Sequence, residues 1–297
     1  MDDINKYYEE SGKIGIIGPI YIIILGVVSS LVLGAIYGYA IFYIPFIYLN
    51  IFITMALGGF VGHAVAIGGK YGKVRNENAL LLFGFIFGLF SEYISWVSWI
   101  HAYSEQEVLI YSPAVILEVM QELSVNGAWS IFGWTPTGNW IYSIWSIEAI
   151  MIVGFSAILA MMNSVPFCEQ CYKWVEEGET IEPLEPLDVT SELVGQWENE
   201  NYSSLKSLEE SDLESDLESD FESDFESDSE IDFESDHYFR IELLQCPSCQ
   251  DSNFMTIVEV EISEDSDGEE HVSEIAVIQN LILTSSGFQK IKLIGDS

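Results

Sequence analysis

The sequence predicts a mainly α-helical membrane protein, in which a bundle of four transmembrane helices is joined to a small antiparallel β domain. Almost half of the residues are apolar, although the chain carries 47 acidic and only 10 basic residues. Apolar and charged residues must therefore occupy different regions. The apolar excess lies almost entirely before Asn163, in four long stretches, and four cysteines arranged as two Cys-x-x-Cys pairs follow it.

The four apolar stretches are the predicted transmembrane helices. A bilayer core about 30 Å thick requires roughly 20 apolar residues of helix. Four stretches meet this requirement, at residues 14–37, 41–69, 79–103 and 141–162. Together they define a transmembrane domain at residues 14–163, preceded by an N-terminal leader at residues 1–13. The first stretch has no small-x-small cleavage site, so we expect it to be retained rather than removed as a signal peptide.

The basic residues predict the orientation of the chain. Those next to the spans all fall on one side of a four-span arrangement: Lys6, Lys13, Lys70, Lys73, Arg75 and Lys173. The opposite side, chiefly residues 104–140, contains no Lys or Arg. Because cytoplasmic loops are enriched in these residues, both termini are predicted to be cytosolic. The sequence does not identify the membrane, and a bacterial inner membrane is one candidate.

The predicted outer side has two further features. Ser112 and Pro113 indicate the start of a helix that ends at Asn126, and its apolar stripe predicts a position on the membrane surface or over the bundle. Six tryptophans lie near the outer ends of the third and fourth spans, which favours an interfacial aromatic belt. They are Trp96, Trp99, Trp129, Trp134, Trp140 and Trp145.

Two acidic residues, Glu92 and Glu148, lie within the predicted spans. From a helical rise of ~1.5 Å per residue, both are expected roughly 10 to 16 Å below the outer surface, so they could meet. Two adjacent carboxylates in low dielectric cannot both stay ionised, so a shared proton or a bound cation is one interpretation. The alternative is that each is separately protonated or hydrogen-bonded to a neighbour. His63 lies too close to the inner surface to join them, and the glycines around it indicate close helix packing.

The cysteines form the most specific motif. Cys168 and Cys171 make one pair, and Cys246 and Cys249 the other. Two such pairs supply four thiolates, the set that holds tetrahedral zinc. With β-prone segments after the second pair, the pattern resembles a zinc ribbon, over residues 165–175 and 238–283. The resemblance implies a structural zinc ion held by all four cysteines.

Other interpretations of the cysteines stay open. Two disulfides would require an oxidising compartment, whereas the charge distribution predicts the cytosol. A redox dithiol, an iron centre or free thiols are the remaining alternatives. The two pairs are also separated by residues 172–245, which is long for a compact ribbon, although closure entropy grows only slowly with loop length.

The intervening acidic region divides the predicted zinc-ribbon-like domain into residues 164–175 and 238–294. We interpret residues 176–237 as an acidic low-complexity insertion, because a Ser-Asp-Leu/Phe-Glu repeat dominates its second half. It is expected to be a solvated linker, with binding of cations, docking of basic proteins or phosphorylation as alternatives. Three strands are predicted in the second part of the domain, at residues 238–244, 254–262 and 275–283.

The sequence favours a non-enzymatic anchor or scaffold that presents a zinc-binding cytosolic domain to partners. No nucleotide-binding loop, HExxH or GxSxG motif is present, and the enzyme question is left open. The alternative is a proton- or cation-coupled transporter or membrane enzyme using Glu92 and Glu148. Expected partners are the lipid bilayer, basic proteins or cations at the acidic insertion, and further copies of the chain. Nucleic acid is not expected, because phosphate binding depends on Lys and Arg.

Overall fold

The computed structural model describes residues 6–44, 46–130, 133–162, 165–184, 191–205, 237–264 and 270–295. The chain divides into two compact units. Glu10–Ser164 form a helical unit, and Met1–Glu9 together with Val165–Ser297 form a sheet unit.

Four long apolar helices make up most of the helical unit. They are α1 (Gly18–Tyr43), α2 (Ile47–Tyr71), α3 (Glu77–Tyr103) and, after a shorter helix α4 (Pro113–Asn126), α5 (Asn139–Met161). Within the described residues, these four are long and apolar enough to cross a membrane. Helix α1 packs against α2 and α3, and α5 packs against the same two helices.

Helix α1 is longer at its C-terminal end than the sequence predicted. It continues through residues 38–40, which separate the first two predicted spans, and ends at Tyr43. The next residue, Ile44, has an extended backbone and precedes Pro45 in the sequence. Proline disfavours helix in the residue before it, which accounts for where the helix ends.

Small residues allow the helix backbones to approach closely. A Cβ atom added at Gly62 of α2 would lie 2.5 Å from the carbonyl oxygen of Ser156 on α5. Serines also cross between helices, since the Ser156 hydroxyl donates to the Gly84 carbonyl at 2.8 Å and the Ser30 hydroxyl donates to the Phe87 carbonyl at 3.1 Å. The prediction that the glycines pack helices together is therefore confirmed. His63 itself is exposed on the outside of the helical unit.

The predicted helix between the third and fourth long helices is confirmed as α4. Pro113 is its first residue, and Gly127 ends it with φ of 82°. Ile116 and Leu123 are buried, and Leu123 belongs to one apolar cluster with Ile141 and Trp145 of α5. The apolar stripe of α4 therefore packs against the helical unit.

The sheet unit contains a short hairpin and a four-stranded antiparallel sheet. The hairpin pairs β1 (Phe167–Cys168) with β2 (Lys173–Trp174). The sheet has the order β3-β4-β5-β6, formed by Gly178–Leu184, His237–Gln245, Asn253–Glu264 and Glu270–Leu283. Two helices complete the unit, α6 (Ser191–Glu198) and α7 (Ser285–Gly295). The three strands predicted after the acidic repeat are confirmed as β4, β5 and β6.

The interpretation of residues 176–237 as a linker throughout is wrong for its first part. Strand β3 and helix α6 fall within it. Trp197, Tyr202 and Leu205 are buried in the core of the sheet unit, because this stretch alternates acidic residues with large apolar ones that can cover one face of the sheet. The acidic repeat at residues 206–236 lies outside the described residues.

The leader is also more structured than a simple tail. The Ile282 N–H donates to the Lys6 carbonyl at 2.8 Å, and the Tyr8 N–H donates to the Asn280 carbonyl at 2.9 Å. The Tyr7 hydroxyl donates to Glu198 of α6 at 2.8 Å. Residues 6–8 therefore extend the sheet beyond β6. Because this pairing is non-local, sequence spacing could not predict it.

Candidate metal centre

Two tight turns place the four cysteines. Cys168 ends β1 and Cys171 lies in the turn to β2, while Cys246 and Cys249 lie in the turn from β4 to β5. The residue after the second cysteine of each pair has a left-handed backbone, with φ of 56° at Tyr172 and 59° at Gln250. The two turns thus have the same local form, although their sequences differ.

The four sulfur atoms form one cluster. All of them lie within 4.8 Å of one another, and the Sγ atoms of Cys168 and Cys249 are 3.7 Å apart. Four sulfurs in a tetrahedron around zinc, each about 2.3 Å from the ion, are separated by roughly 3.8 Å. The described cysteines therefore fit a tetrahedral zinc ion with little movement.

The surroundings of the cluster donate hydrogen bonds to sulfur and shield two of the four cysteines from water. The Cys171 N–H lies 3.4 Å from the Cys168 sulfur, and the Ser252 hydroxyl donates to the same sulfur at 3.2 Å. Cys168 and Cys246 are buried, whereas Cys171 and Cys249 are partly exposed. Such N–H and O–H donors stabilise negative charge on sulfur.

The protonation of the cysteines also bears on metal binding. The pKa of Cys249 is lowered to about 6, mainly because the backbone of Asp251 donates a hydrogen bond to this cysteine. The hydrogen bond with Cys249 is the main cause that raises the pKa of Cys171 to about 12. The cluster therefore stabilises one thiolate readily, whereas four require a divalent cation to compensate their charge.

The geometry also bears on the alternatives to a metal. The 3.7 Å approach joins cysteines of different turns, while a redox dithiol would join the two cysteines of one Cys-x-x-Cys pair. A disulfide has a sulfur–sulfur distance of about 2.05 Å, and all four cysteines are free. The arrangement converges on one point between the turns, as a metal site requires.

The acidic residues of the long helices have separate hydrogen-bond donors. The Trp96 indole donates to Glu92 at 2.9 Å, one turn along α3. The Tyr37 hydroxyl of α1 donates to Glu148 of α5 at 2.5 Å. Trp96 connects the two neighbourhoods, because its ring packs edge-on against Trp145, which lies one turn before Glu148. Tyr37 is 111 residues away from Glu148, so local sequence could not identify it as the partner.

The tryptophans do not form a single aromatic belt. Four of the six line a cavity of about 30 Å³ that also includes Glu148 and Tyr37. They are Trp96, Trp99, Trp129 and Trp145. Only Trp134 and Trp140 are largely exposed, as an interfacial belt requires. The interpretation of all six as belt residues is therefore wrong for Trp145, which is buried. The i, i+3 spacing of Trp96 and Trp99 in α3 is the sequence signal for their shared face.

Comparison with known proteins adds no family to this picture. No protein-family model, no curated protein and no solved structure matches the chain. The resemblance to a zinc ribbon therefore depends on the cysteine pairs and on the sheet beside them. Function must be argued from the two sites themselves.

Proposed function

We propose that this chain is a multi-pass membrane scaffold whose four long helices anchor a zinc-stabilised cytosolic domain that binds partner proteins. The observation that carries the proposal is the convergence of all four cysteine sulfurs within 4.8 Å. Cys168, Cys171, Cys246 and Cys249 would hold the zinc ion, with no open position for catalysis. A closed four-thiolate site is structural, which favours a binding domain over an enzyme.

Three observations support the membrane part of the proposal. Large aliphatic side chains such as Ile20, Ile24 and Val28 are about half exposed on α1, as expected for a helix surrounded by lipid. The segment between α3 and α5 lacks Lys and Arg, which favours the side away from the cytosol. Residues 6–8 pair with β6, so the two ends of the chain belong on the same side, in agreement with an even number of spans.

The charge of the domain indicates the kind of partner. Residues 176–236 contain 24 Asp and Glu residues and one lysine, Lys206. A segment with so much negative charge attracts basic protein surfaces and cations through long-range electrostatics. Recognition by charge would weaken at high salt, because the Debye length falls from about 10 Å at 0.1 M to about 3 Å at 1 M.

Metal analysis of the purified full chain tests the zinc site. We expect about one zinc ion per chain, and Cys168→Ser or Cys249→Ser should abolish it. Gln170→Ala is the matched control, since Gln170 is exposed and lies between two cysteines of one turn. Intact disulfides, iron in place of zinc, or a zinc content unchanged by both serine variants would refute the proposal.

The sidedness of the scaffold has its own test. A cysteine introduced at Gln106, in a background where the native cysteines are protected by zinc, should be labelled only from outside intact cells or vesicles. Labelling at Ser273→Cys, an exposed position on β6, should occur only from the cytosolic side. Labelling of both positions from one side would contradict the cytosolic placement of the domain while leaving the metal analysis unaffected.

A second candidate function is a proton- or cation-coupled transporter, and the observation that favours it is the cavity beside Glu148. The carboxyl group accepts a hydrogen bond from Tyr37 and lines the cavity between the long helices. Ionisable groups inside a membrane are costly and commonly mark a translocation path. Uptake by vesicles containing the purified chain would test this function.

A further inference from the structure

The cavity beside Glu148 combines a carboxylate with aromatic walls. The rings of Trp96 and Trp145 have centroids 5.1 Å apart, and their planes are inclined by 86°. The ring centroids of Trp96 and Trp99 are 5.9 Å apart, and their planes are inclined by 60°. These rings therefore pack against one another edge to face or tilted, and not as a parallel stack. Trp129 completes the aromatic lining.

A chain of hydrogen bonds leads to the Glu148 carboxyl group. Thr54 and Tyr37 are joined by a hydrogen bond of 2.8 Å, and Tyr37 donates to Glu148 at 2.5 Å. The Thr54 hydroxyl donates to the Asn50 carbonyl at 2.7 Å. The hydrogen bond from Tyr37 stabilises negative charge on Glu148, whereas burial opposes it, so the carboxyl group needs a bound proton or a bound cation.

No positive side chain balances that charge. The described residues that line the cavity include no Lys, Arg or His. A buried carboxylate without a positive partner either binds a proton or binds a cation. The nearby residue Glu92 accepts a hydrogen bond from the Trp96 indole at Oε1. Its other oxygen, Oε2, is buried without a hydrogen-bond partner among the described residues. Glu92 is not one of the residues that line the cavity, so Glu148 is the acidic residue of the site itself.

The size and chemistry of the cavity select the class of cation. A cavity volume of about 30 Å³ is above the ~10 to 15 Å³ needed to hold one water molecule, so a cation of similar size fits. The side-chain oxygens in the lining are those of Glu148, Tyr37 and Ser95, which are fewer than the 6 to 8 oxygen ligands that Ca²⁺ takes. An ammonium group needs only a few acceptors, and tryptophan faces stabilise it through cation–π interactions.

We infer that this cavity is a binding site for a small ammonium-type cation, of the size of ammonium or methylammonium, held by Glu148 and bordered by tryptophan rings. Glu148 supplies the charge, while Tyr37 and Ser95 supply further oxygens. Glu92 is a positioning residue that holds Trp96 through its indole N–H. If the chain is a cation-coupled transporter, an ammonium-type cation is the ligand class that this site supplies. Binding at the site does not require transport.

Tryptophan fluorescence of the full chain in lipid nanodiscs can test the site, because the binding residues are themselves the probes. Methylammonium chloride should produce a saturable change at constant ionic strength, and sodium chloride and tetraethylammonium chloride should not. Glu148→Gln should weaken the response at least tenfold. Glu118→Gln is the matched control, since Glu118 is an exposed acid on α4, and it should bind like the unmodified chain.

Two results would overturn the inference. One is the absence of a saturable response to methylammonium in the unmodified chain, as expected if Glu148 simply binds a proton. The other is an unchanged response in a Glu148→Gln variant whose helix content and thermal unfolding match those of the unmodified chain. Binding without uptake by vesicles would support the site and refute the transporter, so the two ideas fail separately.

Discussion

The helical unit and the sheet unit distribute polar and apolar residues in opposite ways. In the helical unit, serines such as Ser30, Ser91 and Ser156 are buried while large aliphatic side chains are exposed. In the sheet unit, Leu243, Met255 and similar residues are fully buried, although β6 also exposes Val272 and Ile275. The difference indicates two solvents. Water drives apolar burial in the sheet unit, whereas close backbone packing holds helices together where the surroundings are apolar.

The two units should also depend on different interactions for stability. The sheet unit has one apolar core under α6 and α7 and a second, smaller cluster around the cysteines. The helical unit depends on glycine and serine contacts between helices. Perturbations chosen for one unit should therefore leave the other intact, and the following experiments test that separation.

The largest effect should follow loss of the metal. Strands β1 and β2 have two residues each, and an isolated hairpin of this size is marginal in water. We expect Cys168→Ser to destabilise the hairpin locally by about 3 kcal/mol or more, which corresponds to a roughly hundredfold faster cleavage by trypsin at Lys173. Gln170→Ala should not change the rate. Simultaneous loss of helical circular dichroism would show that the two units are not independent.

The next effect concerns the crossing of α2 and α5. Gly62→Leu would place side-chain atoms against the backbone of Ser156, and overpacking of this kind costs about 1 to 3 kcal/mol. Thermal unfolding in detergent should register the loss, while zinc content stays unchanged. Gly154→Leu is the matched control, because a Cβ at Gly154 meets no atom within 4 Å. Equal destabilisation by both variants would contradict packing through Gly62.

These comparisons show what sequence could and could not predict. The long helices followed from apolar length, α4 from Pro113 and Gly127, and the cysteine cluster from its spacing, since each is a local pattern. Three features depend on distant partners and left no local signal. They are the hydrogen bond from Tyr37 to Glu148, the pairing of residues 6–8 with β6, and the burial of Trp197.

Acidic composition also concealed structure. The many carboxylates between the cysteine pairs indicated a solvated linker, but apolar residues within the same stretch supply β3 and the core-facing side of α6. Net charge measures the average of a segment, whereas burial depends on which positions face the core. The exposed side of the segment can therefore be acidic without preventing the opposite side from packing.

A smaller effect should follow removal of the Tyr7 hydroxyl. The Tyr7 hydroxyl donates a hydrogen bond to Glu198. Burial raises the pKa of Tyr7 to about 12, and the hydrogen bond to Glu198 and the charge of Glu198 contribute to the increase. We expect Tyr7→Phe to reduce the free energy of unfolding of the sheet unit by about 1 kcal/mol. Tyr48→Phe is a matched control, since Tyr48 is 71% exposed. Unchanged unfolding in Tyr7→Phe would mean that the leader does not stabilise the sheet.

The smallest effect concerns pH and the helical unit. Burial is the main cause that raises the pKa of Glu10, and the negative charge of Glu77 adds to the increase. A backbone hydrogen bond from Glu77 and the positive charge of Arg75 act in the opposite direction. Because the folded pKa is above the unfolded value, the folded state binds the Glu10 proton more tightly. This contribution to stability is fully present below the unfolded pKa and is lost as pH rises through the folded one.

At neutral pH, Glu10→Gln should therefore raise the free energy of unfolding of the helical unit. Glu10 is only partly buried, and solvent screening should keep the gain below about 1 kcal/mol. The variant should gain less on acidification than the unmodified chain, so the two unfolding curves should approach each other at low pH. Glu9→Gln is the matched control, because Glu9 is exposed. If Glu10→Gln destabilises the helical unit at neutral pH, the attraction to Arg75 outweighs burial and the direction of the shift is wrong.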